Sequence, residues 1–435
     1  MSDRAAERVG NLSSSEYDEK NESPGTLSYF FGLLLGLANN FSAHTVFLLS
    51  FMAVRLHKGA NKLPLNLFLF FFFYALGSVL FFFVSPVLTF FTFFGYLLEA
   101  VFHLLALLSV QAFETEAGRG VFTASVALMG LAHGLNKVAG TALVEATPFG
   151  SHAVLDMGLF LSGLLPFFLY MVFRFVVTEA GDFKLEHMKV FFTTVSVLAM
   201  VMHLLTALFA VVYSMTGRVK RHMEKKRLEH ESKPKFVGRH AASLFNNLLV
   251  ATLVFLVLYF LKYTLFPSFY PLDVEDKVTT GAKYMFLTLP GLFDGLARLA
   301  FLYLFGNVDW THVTPCGTLY MLVFDLLLVV FFGCLHRMQD QDFVLFEESF
   351  SLLFFLAFLL VHSASSDVIT LQLLGHAGNK EAERDMETHE LEADLPRAHK
   401  RVTAHVFLNV LESLGSTLGS LATLLFFSLS TEKKD

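Results

Sequence analysis

Charge is scarce in this chain. Only 16% of its 435 residues are Asp, Glu, Lys or Arg, against about 25% in ordinary soluble domains. Cysteine is nearly absent. Cys316 and Cys334 are the only two, so one disulfide at most can form, and their spacing fits no metal site. The histidines inside the apolar stretches (His44, His103, His133, His152, His203 and His362) form no H-x-x-x-H or HExxH pair, so they read as hydrogen-bonded side chains and not as metal ligands. No nucleophile–base arrangement is visible either, which makes an intramembrane enzyme the weakest class and implies no cofactor. The acidic segment Met1–Pro24 lacks the basic and apolar regions of a signal peptide, so the first apolar span is expected to direct insertion.

What the chain does have is apolar bulk. Hydrophobic residues make up 54%, and Phe alone contributes 52. Runs such as Leu63–Val84 (LPLNLFLFFFFYALGSVLFFFV) exceed the roughly 20 residues a helix needs to cross a bilayer. Runs such as Phe70–Phe73 cannot all face inward, so most phenylalanines are expected to face lipid. Eleven spans are predicted: Leu27–Val54, Leu63–Val84, Pro86–Phe113, Gly120–Val144, His152–Val177 and Met188–Thr216, then Leu244–Phe266, Lys283–Phe305, Pro315–Leu335, Phe350–Leu374 and Val402–Leu429. The expected fold is an all-α polytopic membrane protein with about eleven transmembrane helices in a 6+5, major-facilitator-like arrangement. No internal sequence repeat is legible.

Loop charge suggests the orientation. Gly217–His240, between spans six and seven, carries nine Lys/Arg against three Glu, and the positive-inside rule makes it cytoplasmic. Six spans before it place the N-terminus inside and the C-terminus outside. The bases of Arg55–Lys62 then fall outside, against the rule, but the larger excess decides. The basic loop reads as a connector between two bundles, and no nucleic-acid partner is expected. His376–Arg401 mixes seven acids with five bases and has no apolar periodicity, as in a solvated loop.

A few charges interrupt the apolar spans. Asp294 and Arg298 sit four residues apart, on one helix face in the favourable order. Each would cost roughly 2.5–3.5 kcal/mol at the centre of a spanning helix. They therefore face protein or water, either as a structural ion pair or as part of a permeation path. Six further ionisable groups lie at membrane depth: Glu99, Lys137, Asp156, Asp325, Asp367 and Glu412. Lys137 is the only base among these six and requires an acidic partner from another helix. Glu99 and Asp367 raise the idea of proton coupling.

Several motifs, in order, resemble the equilibrative nucleoside transporter family. Leu292–Arg298 (LFDGLAR) is similar to the family's Asp-x-x-Gly-Arg signature in the eighth span, with Ala297 in place of Gly. Pro148, Gly158 and Gly163 repeat its fifth-span spacing. Leu265–Pro271 (LFPSFYP) resembles its Phe-Pro pair after span seven, and Gly415 with Gly419-Ser420 resembles its last-span glycine motif. The family's architecture, eleven spans with a long loop after the sixth, is the same. Three pocket stretches depart from the pattern. Ser42-Ala43-His44 replaces Pro-Trp-Asn, Ala132-His133 stands near the usual Gln, and Ser365-Ser366-Asp367-Val368 replaces Ser-Asn-Gly-Tyr.

The resemblance implies facilitative transport of nucleosides or nucleobases by alternating access. A small solute and the lipid bilayer are then the partners, and the plasma membrane is the expected location. The expected substrate-binding residues are Asp294, Arg298, Asp156, His44 and His133. A carboxylate accepts from vicinal ribose hydroxyls, and a guanidinium donates in a fork to ribose or base. The altered pocket leaves two other readings open: a sugar-like or folate-like solute on the same scaffold, or a membrane interaction protein that does not transport.

Overall fold

The computed structural model describes residues 26–57, 62–81, 88–113, 115–145, 152–177, 185–217, 219–220, 245, 248–266, 285–305, 313–339, 348–378 and 397–431. Within these residues the chain forms eleven α-helices. They are α1 (Thr26–His57), α2 (Lys62–Leu80), α3 (Leu88–Gln111), α4 (Glu116–Glu145), α5 (His152–Val172) and α6 (Leu185–Met215), followed by α7 (Leu249–Thr264), α8 (Met285–Phe305), α9 (Pro315–Gln339), α10 (Glu348–Gly378) and α11 (Arg397–Thr431). A π-helical turn, Phe173–Val177, extends α5. Each helix matches one expected span. Most of the two polar loops, Gly217–His240 and His376–Arg401, and half of the stretch Arg55–Lys62 lie outside the described residues.

Six of the helices are long and apolar enough to cross a membrane. Others fall short for reasons that bear on the site. α8 carries Pro290, Asp294 and Arg298, and α11 carries a charged first turn and Glu412. Such helices are sheltered by their neighbours rather than by lipid alone.

Successive helices alternate in direction. Side chains and backbone of α1 meet α5 in parallel register, Gly32 against Val154 and Gly36 against Gly158, whereas α3 meets α4 antiparallel, Gly95 against Asn136 and Glu99 against His133.

The packing carries a repeat that the sequence hides. Within the first six helices α1 packs on α5, α2 on α4 and α3 on α4; within the last five, α7 packs on α11, α8 on α10 and α9 on α10. These pairs coincide when six is added to each helix number. The two groups join through α5·α8 and α2·α11, and these pairs also exchange under the same shift. Contacts of α6 with α1 and α3 have no counterpart among the described helices.

Small residues set the close approaches. A Cβ on Gly36 or Gly158 would overlap the other helix of the α1·α5 pair, and a Cβ on Gly415 or Gly419 would overlap the backbone of α7. The equivalent pair in each bundle is thus glycine-packed, as expected where van der Waals contact drives helix association.

Phenylalanine departs from the sequence expectation. Many phenylalanines build the core: Phe41, Phe47, Phe51, Phe70, Phe122, Phe191 and Phe192 are buried, and every one of the largest fully buried side chains is Phe or Tyr. Phe72, Phe90 and Phe94 do face outward. Lipid solvates apolar side chains as well as protein does, so hydrophobicity alone does not sort the two sets; interhelical shape does.

Candidate functional site

The polar centre of the second bundle is a ladder of four charges. Asp294 on α8 receives the Lys262 ammonium from α7 at 3.0 Å. Ser363 on α10 donates a hydrogen bond to the same carboxylate oxygen. Arg298, one turn along α8, lies 3.9 Å from the other oxygen, and its terminal nitrogen lies 3.6 Å from Asp367 on α10. The ladder Lys262–Asp294–Arg298–Asp367 is electrically neutral. Neutrality is what makes two cations and two anions tolerable in such a place. The Lys262 ammonium also lies 6.0 Å from the Tyr259 ring and 5.8 Å from the Tyr263 ring, close enough for cation–π attraction.

Asp294 and Lys262 open onto a cavity of about 40 Å³ between the two bundles. From the first bundle Asn40, His44, Phe47 and Phe71 reach it; from the second come Lys262, Tyr263, Phe266, Gly291 and Asp294. The Asn40 amide lies 3.4 Å from the His44 ring. Gly291 makes room for that ring, since a Cβ there would sit 2.5 Å from His44 Cε1. Pro290 precedes it inside α8 and leaves the carbonyl one turn back without its helical donor. About three waters fit such a volume; a drug-sized ligand needs roughly 300–1,000 Å³. In this conformation the cavity is too small for such a ligand.

Cross-bundle contacts flank the cavity on both sides. Toward the end of α1, Phe47 meets Phe266 with ring centres 5.3 Å apart, and Phe71 meets Tyr263 at 4.4 Å. Toward the beginning of α1, Lys137 on α4 pairs with Glu412 on α11 at 2.8 Å, with Tyr74 5.3 Å from the ammonium. Between them α5 crosses α8. A Cβ on Gly163 would overlap the Gly291 carbonyl, and one on Gly295 would come within 2.9 Å of the Phe160 backbone.

A second polar cluster lies wholly inside the first bundle. Glu99 on α3 is fully buried. His133 of α4 lies 3.0 Å from its carboxylate and His203 of α6 lies 3.5 Å away. Ser42 of α1 and Asn136 of α4 donate hydrogen bonds to it. Among the described residues, no three His, Cys, Asp or Glu side chains are placed to hold a metal ion.

No protein-family model and no curated protein matches this sequence. Solved structures do. A D-xylose–proton symporter superposes with a TM-score of 0.60 at 10% identity, over 91% of this chain and 88% of that one. The inward-open xylose transporter XylE from E. coli superposes at 0.49 with 11% identity, over 93% and 94%. The fold is major-facilitator-like. The shift-by-six packing repeat divides the described helices into two bundles with an interface between them, and the cavity of Asp294 and His44 lies on that interface.

The expected site residues divide within this frame. Asp294 and His44 share the cavity. Arg298 stands one step down the ladder, nearer Asp367 than Asp294. His133 points at Glu99. The Asp156 side chain lies outside the described residues. Lys137 finds its acidic partner in Glu412. Lys262 escapes the sequence reading although it is the nearest cation to Asp294. Its signal was a lone base inside LVLYFLKYTLF, near a span end where a lysine ordinarily snorkels to the interface.

Proposed function

We propose that this protein is an alternating-access carrier of nucleosides or nucleobases, with its solute site at the Asp294 cavity. One observation carries the reading: a cavity on the bundle interface has a carboxylate and an ammonium on one wall, an amide and an imidazole on the other, and aromatic rings beside them. Vicinal ribose hydroxyls can donate to Asp294 and accept from Lys262. A flat base can stack on Phe71, Tyr263 or Phe266. Binding requires the cavity to expand, and rocking of the bundles about the α5·α8 crossing supplies that change. The motif resemblance in α5, α8 and α11 supports the same solute class.

A sugar-like solute is the second reading. Its support is the same diol chemistry, together with the D-xylose named for the superposed symporter. The basic stretch between α6 and α7 supports a cytoplasmic N-terminus, and we assign the carrier to the plasma membrane.

Uptake of labelled adenosine, inosine and hypoxanthine in transporter-deficient cells tests the proposal, with xylose and ribose as competitors. Saturable uptake inhibited by other nucleosides supports it. Inhibition by the sugars alone would shift the solute to the second reading, and no saturable uptake of any purine or pyrimidine would end the first.

A further inference from the structure

Hydrogen-bond counting in the buried Glu99 cluster gives it a ligand of its own. His203 Nδ1 contacts the Ala199 carbonyl. A carbonyl only accepts, so Nδ1 carries a hydrogen. His203 Nε2 lies 2.7 Å from the Ser42 hydroxyl, and that hydroxyl also contacts Glu99 Oε1. Ser42 has one hydrogen to give. With Glu99 ionised and His203 neutral, it stands between two acceptors and satisfies only one.

One added proton resolves the conflict in two ways. On Nε2, it lets His203 donate to Ser42 and Ser42 donate to Glu99. On Glu99, it lets the carboxyl donate to Ser42 and Ser42 donate to His203. The two forms interconvert when the His203 N–H bond breaks as the Glu99 O–H bond forms, with the Ser42 hydrogen passing on in relay. The same count balances charge, because an ionised carboxylate this deep needs a cation.

The other groups facing Glu99 complete the cage. From α4 come His133, at 3.0 Å from Oε1, and Asn136, donating to Oε2. From α3 itself, His103 Nδ1 donates to the Glu99 carbonyl at 2.8 Å, and its ring stacks on His203 at 4.9 Å. Tyr96 on α3 donates to Asn39 of α1, with its ring 5.8 Å from His203. A Cβ on Gly95 would lie 2.6 Å from Asn136 Cβ, so that glycine is what admits α4 to the carboxylate.

Two short steps connect the cage to the moving parts. Asn136 precedes Lys137, which crosses to Glu412 of the other bundle. Ser42 lies two residues before His44, which lines the cavity. We infer that Glu99, Ser42 and His203 form a proton-binding site that couples solute movement to proton movement. This rests on the transport reading above and replaces the purely facilitative mode. The proton comes from water on one side of the membrane and leaves to water on the other.

The full-length protein in lipid vesicles tests this in two arms. The first needs no solute: infrared difference spectra are recorded across a pH titration. A carboxyl band that changes across the titration and vanishes in Glu99→Gln is expected; no Glu99-dependent change would overturn the site. The second compares counterflow of labelled adenosine with accumulation driven by a pH difference of one unit. Wild type should accumulate up to about tenfold, since one unit is a factor of ten. Ser42→Ala keeps Glu99 and His203, and should lower the ratio of accumulation to counterflow. Counterflow without gradient-driven accumulation in wild type would overturn the coupling and leave transport standing. A titrating Glu99 band without counterflow of any nucleoside or nucleobase would overturn the solute and leave the proton site.

Discussion

Lys262 lies closer to Asp294, at 3.0 Å, than Arg298 does at 3.9 Å. The carboxylate that marks α8 is thus held from a different helix, α7, rather than mainly by its neighbour one turn away. Removing Asp294 strands the Lys262 ammonium and leaves Arg298 with Asp367 alone, whereas removing Lys262 leaves the carboxylate with Arg298 and Ser363. Asp294→Asn should therefore destabilise by about 3–5 kcal/mol, and Lys262→Met by less. The double variant should cost less than the sum, because the two residues share one interaction. Thermal unfolding of the purified variants in detergent checks the order, and additive costs would remove the pair.

The α5·α8 crossing admits no side chain at Gly163. Gly163→Val should abolish uptake, because the added methyls meet the Gly291 carbonyl across the bundle interface. Gly120→Ala meets nothing within 4 Å and should leave uptake unchanged. Initial rates normalised to surface expression separate the two.

Lys137 and Glu412 join the bundles across the side opposite the Phe47–Phe266 contact. Lys137→Glu should impair transport by setting two carboxylates against each other, and Lys137→Glu with Glu412→Lys should recover most of it. A disulfide between Lys137→Cys and Glu412→Cys should block uptake until a reductant is added. Transport that persists in the cross-linked protein would show that this contact need not open.

His44 and His133 are separated by role. His44→Ala should raise the KM for solute several-fold, because the ring lines the cavity. His133→Ala should leave KM near the wild-type value, because that ring faces Glu99. A matched rise in both KM values would place His133 at the solute.

The legible part of the structure was what hydropathy governs. Backbone in a bilayer must satisfy its own hydrogen bonds, so apolar runs become helices and all eleven appear in order. Asp294 and Arg298 stood out because a charge in such a run is costly. Lys262 did not, since a lysine near a span end has an ordinary solvent-seeking explanation. The partners of Glu99 were illegible for another reason. Ser42, His133 and His203 come from three other helices, and no spacing along the chain encodes their meeting. The packing repeat was hidden likewise, because it resides in which helices touch, through glycines at unrelated sequence positions.

Exchange of adenosine by the purified protein in vesicles tests the central claim most directly. Vesicles preloaded with unlabelled adenosine should take up labelled adenosine faster and further than empty ones. Asp294→Asn should abolish the effect. Wild-type vesicles that exchange no nucleoside or nucleobase above the protein-free background would contradict it.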